Sequence, residues 1–231
     1  MKYGKFAVIG LGTFGMSIAK ELARRGAEVL AIDNDPVHIE AVKDEVAFAV
    51  AMDATDRKTL VSQNISEMDT VVVAIGENFE ALILTVVHCL ELGVKKVMAR
   101  ANGSQQRLIL KKIGVHDILS PELEVGRIVA ERLMNPSLVS FIPLPDNYEI
   151  AEIKTPPEIA NRTLADIDLR NKYKLNLITL KRAFEKNVNG EVVTEEHIIG
   201  VPGSDTVIFD SDTIIVFGTT KDIQRFIEIN Q

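Results

Sequence analysis

Lys5-Phe6-Ala7-Val8-Ile9-Gly10-Leu11-Gly12-Thr13-Phe14-Gly15 is the stretch on which the reading of this chain turns. Residues 6–10 form a short apolar run closing on glycine, the pattern of a strand covered on both faces. Residues 16–25 then set Ile18, Ala19, Leu22 and Ala23 on one helical face and stop at Gly26, a residue suited to the left-handed position after a helix. Working outward, the same alternation continues. Strands are expected at 28–32, 47–52, 70–76, 96–101 and 117–119, and helices from 36 to about 45, then at 56–63, 79–92 and 104–113. Six strands separated by helices at short loop lengths predict an α/β fold: a doubly wound, Rossmann-like parallel sheet with helices on both faces.

Within that frame the three glycines have separate tasks. Gly10 turns the chain out of the strand, Gly12 lets backbone approach a diphosphate, and Gly15 lets the helix pack on the sheet. The helix start then presents unpaired N–H groups and a partial positive charge to the anion. A glycine pattern alone is a weak signal. Here it is joined by Asp33, 18 residues past Gly15 at the end of the second predicted strand, where a carboxylate accepts ribose hydroxyls and repels a 2′-phosphate. Asp35, two residues on and followed by Pro36, reads equally well as a helix N-cap.

Bulk properties set the limits. At 231 residues, the chain allows one full domain and one small one. Its 46% hydrophobic and 26% charged content is that of a folded globular protein. A net charge of -7 without any Lys/Arg block argues against a nucleic-acid partner. The apolar run 81–90 holds His88 and is shorter than the ~20 residues a bilayer requires, and Met1-Lys2-Tyr3-Gly4-Lys5 does not open a signal peptide. A soluble, cytoplasmic protein is expected, and the single cysteine, Cys89, fits a reducing compartment and a core position.

Beyond the sheet, Pro121 opens an amphipathic helix reaching 134, and Pro136, Pro143 and Pro145 punctuate the next dozen or so residues. The expected organisation is a nucleotide-binding domain over 1–135, a crossover over 136–147 and a small α+β domain over 148–231. In that last part, residues 149–154, 176–181, 197–201 and 213–218 read as strands, 164–171 and 221–229 as helices, and Asn189-Gly190 as a hairpin turn. A hydride-transfer enzyme would need a catalytic side chain over a nicotinamide and a sizeable substrate domain. His38, His88, His116 and His197 are each expected to be structural or solvent-facing, so the site binds without reacting. An NAD-dependent oxidoreductase with a small substrate domain is the alternative.

Taken together, F-A-V-I-G-L-G-T-F-G, V-L-A-I-D, D-A-T-D at Asp53 to Asp56, V-V-V-A-I-G-E-N at Val71 to Asn78 and S-P-E at Ser120 to Glu122 resemble the regulatory subunits of Trk/Ktr potassium uptake systems, RCK proteins of the KtrA-like kind. The resemblance runs over nearly the whole chain. It implies a cytosolic gating subunit, assembled as an octameric ring of dimers, docked on a membrane subunit that conducts K⁺ and switched by ATP or ADP, or in related branches by NAD or NADH. Carried over, it assigns the phosphate loop to Gly10, Gly12, Thr13, Phe14 and Gly15 and the ribose to Asp33. Asn34, Asp35, Asp53, Ala54 and Thr55 then surround ribose and adenine, and Ala74, Ile75 and Gly76 flank the nucleotide. Arg100 would face the phosphates.

Glu122 matches an acid that helps hold a divalent cation, Mg²⁺ or Ca²⁺, at the dimer interface, although it also reads as helix N-terminal charge pairing. Thr13 stands where the family commonly has an arginine that reaches the terminal phosphate of ATP; its hydroxyl carries no charge, which brings ADP, AMP and NAD forward as ligands. The 121–134 helix resembles the family's dimerisation region, and Arg170 in D-L-R-N-K-Y resembles a segment that binds cyclic di-AMP in some members.

Overall fold

The structure is a computed structural model of the chain, and it describes residues 4–188 and 191–230. The Asn189-Gly190 turn lies outside the described residues. Two compact units divide the chain, Met1–Leu123 and Glu124–Gln231.

In the first unit, the strands are β1 (Lys5–Ile9), β2 (Glu28–Asp33), β3 (Phe48–Ala51), β4 (Thr70–Val73), β5 (Val97–Arg100) and β6 (Asp117–Leu119). They alternate with α1 (Thr13–Arg24), α2 (Pro36–Glu40), α3 (Arg57–Ser62), α4 (Phe79–Glu91) and α5 (Ser104–Lys112). All six strands run parallel in the order β3-β2-β1-β4-β5-β6. The pleat sorts the side chains: Ala7, Ile9, Ile32, Val71, Val73 and Val97 enter one core with Leu60, Leu82, Val86 and Leu110, while Val8, Val29, Ala31 and Val72 enter another with Ala19. Both faces are therefore apolar, and only helices on each side can cover them. Cys89 lies fully buried in the first of these cores, and burial pushes its thiol up to about 12.

The chain leaves β1 toward β2 on one side and re-enters beside it at β4. That reversal opens a crevice at the C-terminal ends of β1 and β4, the place where open α/β sheets receive ligands.

A helix α6 (Pro121–Met134) comes next, and the second unit carries β7 (Leu138–Pro143), β8 (Tyr148–Lys154), β9 (Arg162–Thr163), α7 (Leu164–Ile167) and α8 (Leu169–Tyr173). Then come β10 (Asn176–Val188), β11 (Glu191–Ile198), β12 (Val207–Ile208), β13 (Thr213–Thr219) and α9 (Thr220–Asn230). Five of the strands form an antiparallel sheet in the order β11-β10-β13-β8-β7, and β9 pairs with β12. One face of the larger sheet packs Ala151, Ile153, Leu180, Ile214 and Val216 against Ile223, Phe226 and Ile227 of α9.

Four local expectations change. The helix expected from 36 to about 45 ends at Glu40, because Val42 turns into the core and bonds from Val42 N–H to Ile39 O (3.1 Å) and from Glu45 N–H to Val42 O (2.9 Å) tighten the chain into turns. The 164–171 helix is broken at Asp168, whose φ of 52° is left-handed. Residues inside the expected crossover form β7, paired with β8 from Leu138↔Ile153 to Pro143↔Glu149. The strand expected at 197–201 lies earlier, as β11, and its antiparallel register with β10 extends from Lys181↔Ile198 to Val188↔Glu191.

Candidate nucleotide-binding site

Gly10 leaves β1 with φ +90° and donates its N–H to Ile32 O (2.8 Å), a conformation that L side chains resist. Gly15 sits so close beneath this turn that a Cβ would overlap the Gly10 carbonyl oxygen. Gly12 differs from both, since a Cβ there would meet nothing within 4 Å. It is the N-cap of α1, supplies no capping side chain, and is followed by a first turn free of acidic residues. The opening N–H groups of α1 thus face open space with a partial positive charge. Thr13 is exposed there, and Phe14 is half-buried behind it.

Asp33 closes the other side. Its buried carboxylate accepts Leu11 N–H on Oδ2 (2.5 Å) and Asp35 N–H on Oδ1 (2.8 Å), so it ties the glycine loop to the end of β2. A buried carboxylate needs such donors, and two accepted bonds leave capacity for ribose hydroxyls. Asn34 is exposed beside it. Asp35 serves as the N-cap of α2, accepting Val37 N–H (2.9 Å).

The tip of β3 joins through Met52 N–H to Asp33 O (2.8 Å). Asp53 there is folded onto its own turn, accepting the Thr55 hydroxyl (2.7 Å) and N–H (2.8 Å), which in that order hold its carboxyl below the usual range. Ala54 is buried, with its carbonyl toward the Thr85 hydroxyl (3.3 Å). From the far side, Ala74 N–H bonds Ile9 O (2.7 Å), and Ile75 backbone lies against Gly10.

Arg100, at the tip of β5, reaches into the same crevice. Its guanidinium carbon is 5.7 Å from the centre of the Phe14 ring, and a Cβ on Gly76 would stand 2.7 Å from its Nη1. Nη2 pairs with Glu122 Oε1 in the first turn of α6. The Glu122 carboxyl lies below the ordinary range, owing first to its own backbone N–H and then to Arg100.

The fold thus gathers the glycine loop, Asp33, Ala74 to Gly76, Arg100 and Glu122 at the ends of neighbouring strands, whereas the Asp35 carboxylate caps α2 and that of Asp53 closes on Thr55. His38, expected from the sequence to be structural or solvent-facing, stands beside the site. Its Nδ1 lies 3.3 Å from Asp33 Oδ2, and the one available signal was its place on the first turn of a proline-opened helix five residues past Asp33. The other histidines lie elsewhere: His88 near Glu91, His116 accepting Val97 N–H (3.2 Å), His197 near Glu195. Among the described residues, no group of three or more His, Cys, Asp or Glu could hold a metal, and no helix is long and apolar enough to cross a membrane.

A parallel sheet ordered β3-β2-β1-β4-β5-β6, an uncapped glycine loop at its crevice and an acid at the second strand tip define the dinucleotide-binding class of α/β domains. The family model of the TrkA-N domain matches residues 6–121, and that of the TrkA-C domain matches residues 148–231. The chain belongs to the TrkA-N/TrkA-C family of Trk and Ktr potassium uptake proteins.

It is 35% identical over 222 residues to the Ktr system potassium uptake protein C of Bacillus subtilis (strain 168), covering 96% of this chain and 95% of that protein. It is 32% identical over 226 residues to the Ktr system potassium uptake protein A of the same organism, covering 98% and 96%. Among solved structures, the GsuK channel bound to NAD superposes with a TM-score of 0.62 at 14% identity, over 99% of this chain and 39% of that chain, which shows a shared fold.

Proposed function

We propose that this chain is the cytosolic, nucleotide-sensing regulatory subunit of a potassium uptake system: it binds an adenine nucleotide at the β1–β4 crevice and through it controls K⁺ flux in a membrane partner, without turnover. The observation that carries the reading is the uncapped start of α1 at Gly12, open on its outer side and flanked by Asp33 and Arg100. The diphosphate lies on the α1 N–H groups, Asp33 takes the ribose hydroxyls with the capacity its two backbone bonds leave free, and Arg100 meets the phosphates. With Thr13 supplying a hydroxyl and no charge at the loop, ADP, AMP and NAD stand beside ATP as ligands. Control comes through linkage, since a nucleotide shifts the subunit by its difference in affinity for two conformations.

Residues 1–135 act as the sensing domain, 136–147 as the connection and 148–231 as the second domain in this reading. Assembly is by copies of the chain, as dimers building a ring, supported by an α6 with no buried residue. Glu122, paired with Arg100 in the single chain, is the residue at which to test for a divalent cation at the dimer interface, by comparing Mg²⁺ and Ca²⁺ binding to the wild type and to Glu122→Gln. Arg170, whose Nε donates to Asn176 Oδ1 (2.9 Å), remains the place to test for cyclic di-AMP by comparing its binding to the wild type and to Arg170→Ala.

Thermal-shift titration with ATP, ADP, AMP, NAD and NADH tests the main claim. A ligand at 100 times its Kd stabilises the native state by about 2.7 kcal/mol, and a flat melting temperature with all five would overturn it.

A further inference from the structure

Arg100 is held from several sides. Nη2 is paired with Glu122, Nη1 is pressed against Gly76, and the guanidinium carbon lies 5.7 Å from the Phe14 ring centre. Its Nε is buried with no hydrogen-bond partner among the described residues. The arginine side chain is 23% exposed and the Glu122 side chain 51%, so the acid is the freer member of the pair. A guanidinium recognises phosphate through its fork of N–H groups, and here a carboxylate already takes part of that fork. The carboxylate comes from the first turn of α6, a different element from the one that places the arginine.

We propose that Glu122 is a built-in competitor of the nucleotide's phosphate for Arg100. This rests on the nucleotide-binding function proposed for the crevice. The Glu122 carboxylate holds the guanidinium; when a diphosphate lies on the α1 N–H groups, its oxygens take the guanidinium over, and the start of α6 loses its tie to the tip of β5. Glu122 therefore sets how much the phosphates add to affinity, and α6 is the element that feels their arrival.

Isothermal titration of the full chain with ADP and with adenosine, in EDTA so that no cation contributes, tests this through the ratio of the two affinities. Glu122→Gln keeps the shape and removes the charge. It should raise the ADP-to-adenosine ratio roughly two- to fivefold, the scale of a partly exposed ion pair. Arg100→Gln should lower the ratio, and the double variant should match Arg100→Gln, since a competitor without its target has no effect. Arg100→Lys, which keeps the charge and loses the fork, should give an intermediate ratio and stands in if the glutamine variant fails to fold. A ratio unchanged or lowered by Glu122→Gln, or an effect of equal size in the Arg100 variant background, would overturn the proposal. Failure of the wild type to bind either ligand would overturn the nucleotide reading, and this proposal with it.

Discussion

Gly12 and Gly15 look alike in the sequence and do opposite things in the structure. A methyl on Gly15 would run into the Gly10 carbonyl oxygen, so Gly15→Ala should destabilise the unliganded protein by about 1–3 kcal/mol in denaturant unfolding. A methyl on Gly12 meets nothing within 4 Å. Gly12→Ala should therefore cost no more than about 1 kcal/mol, through a poorer N-cap, while removing most nucleotide affinity by filling the space before α1. Equal loss of stability in the two variants would refute this division of labour. Asp33 combines both roles. Asp33→Ala leaves the N–H groups of Leu11 and Asp35 without acceptors, and should lower stability by about 1–3 kcal/mol in addition to abolishing the nucleotide-induced thermal shift. A shift that survives would mean that the ribose is held elsewhere.

At the scale of elements, β8 contains an acid in an unusual place. Glu149 is buried between Pro143 of β7 and Gly218 of β13, and burial raises its carboxyl above the ordinary range. The Thr220 hydroxyl opposes that rise, Glu131 adds to it, and Arg127 opposes it. An acid whose pKa is higher folded than unfolded binds more protons in the native state, so stability falls as pH climbs from the ordinary glutamate value through the raised one. Glu149→Gln should consequently be more stable than the wild type at neutral pH, and the gap should close as pH drops through the raised value. Unfolding curves across the acid range test this; a gap independent of pH would contradict it.

Elements also show where sequence reading stops. The central strands β1, β2 and β4 were legible because both faces of each are covered and their residues are apolar in continuous runs. β7 was less so, since its Leu138, Val139, Phe141 and Ile142 sit among three prolines that read as a connection until β8 is there to pair with it. The break at Asp168 carries no proline or glycine signal and arises from the left-handed turn that sends α8 off on a new line.

Across the whole molecule, α6 has Leu123, Val125, Val129, Leu133 and Met134 exposed in a single chain. An exposed apolar surface of this extent is of the kind that a second protein can cover. If copies of this chain cover it, Val125→Lys combined with Val129→Lys should shift the solution mass measured by light scattering toward that of one chain, with the melting behaviour of the sheet retained. An unchanged mass would place assembly on another surface.

By itself the sequence determined the periodicities: apolar runs for strands covered on both faces, glycines where backbone must turn or lie bare, and an acid, Asp35, where a helix begins. These depend on neighbours a few residues apart, whose geometry the backbone sets locally. Only the tertiary structure decided the pairings: Asp33 with Leu11, Arg100 with Glu122, Arg182 with Asp212. Which polar groups meet depends on strand order and side-chain direction, and burying a charge alone costs enough that Asp33 and Arg100 each take a partner about twenty residues away in the chain.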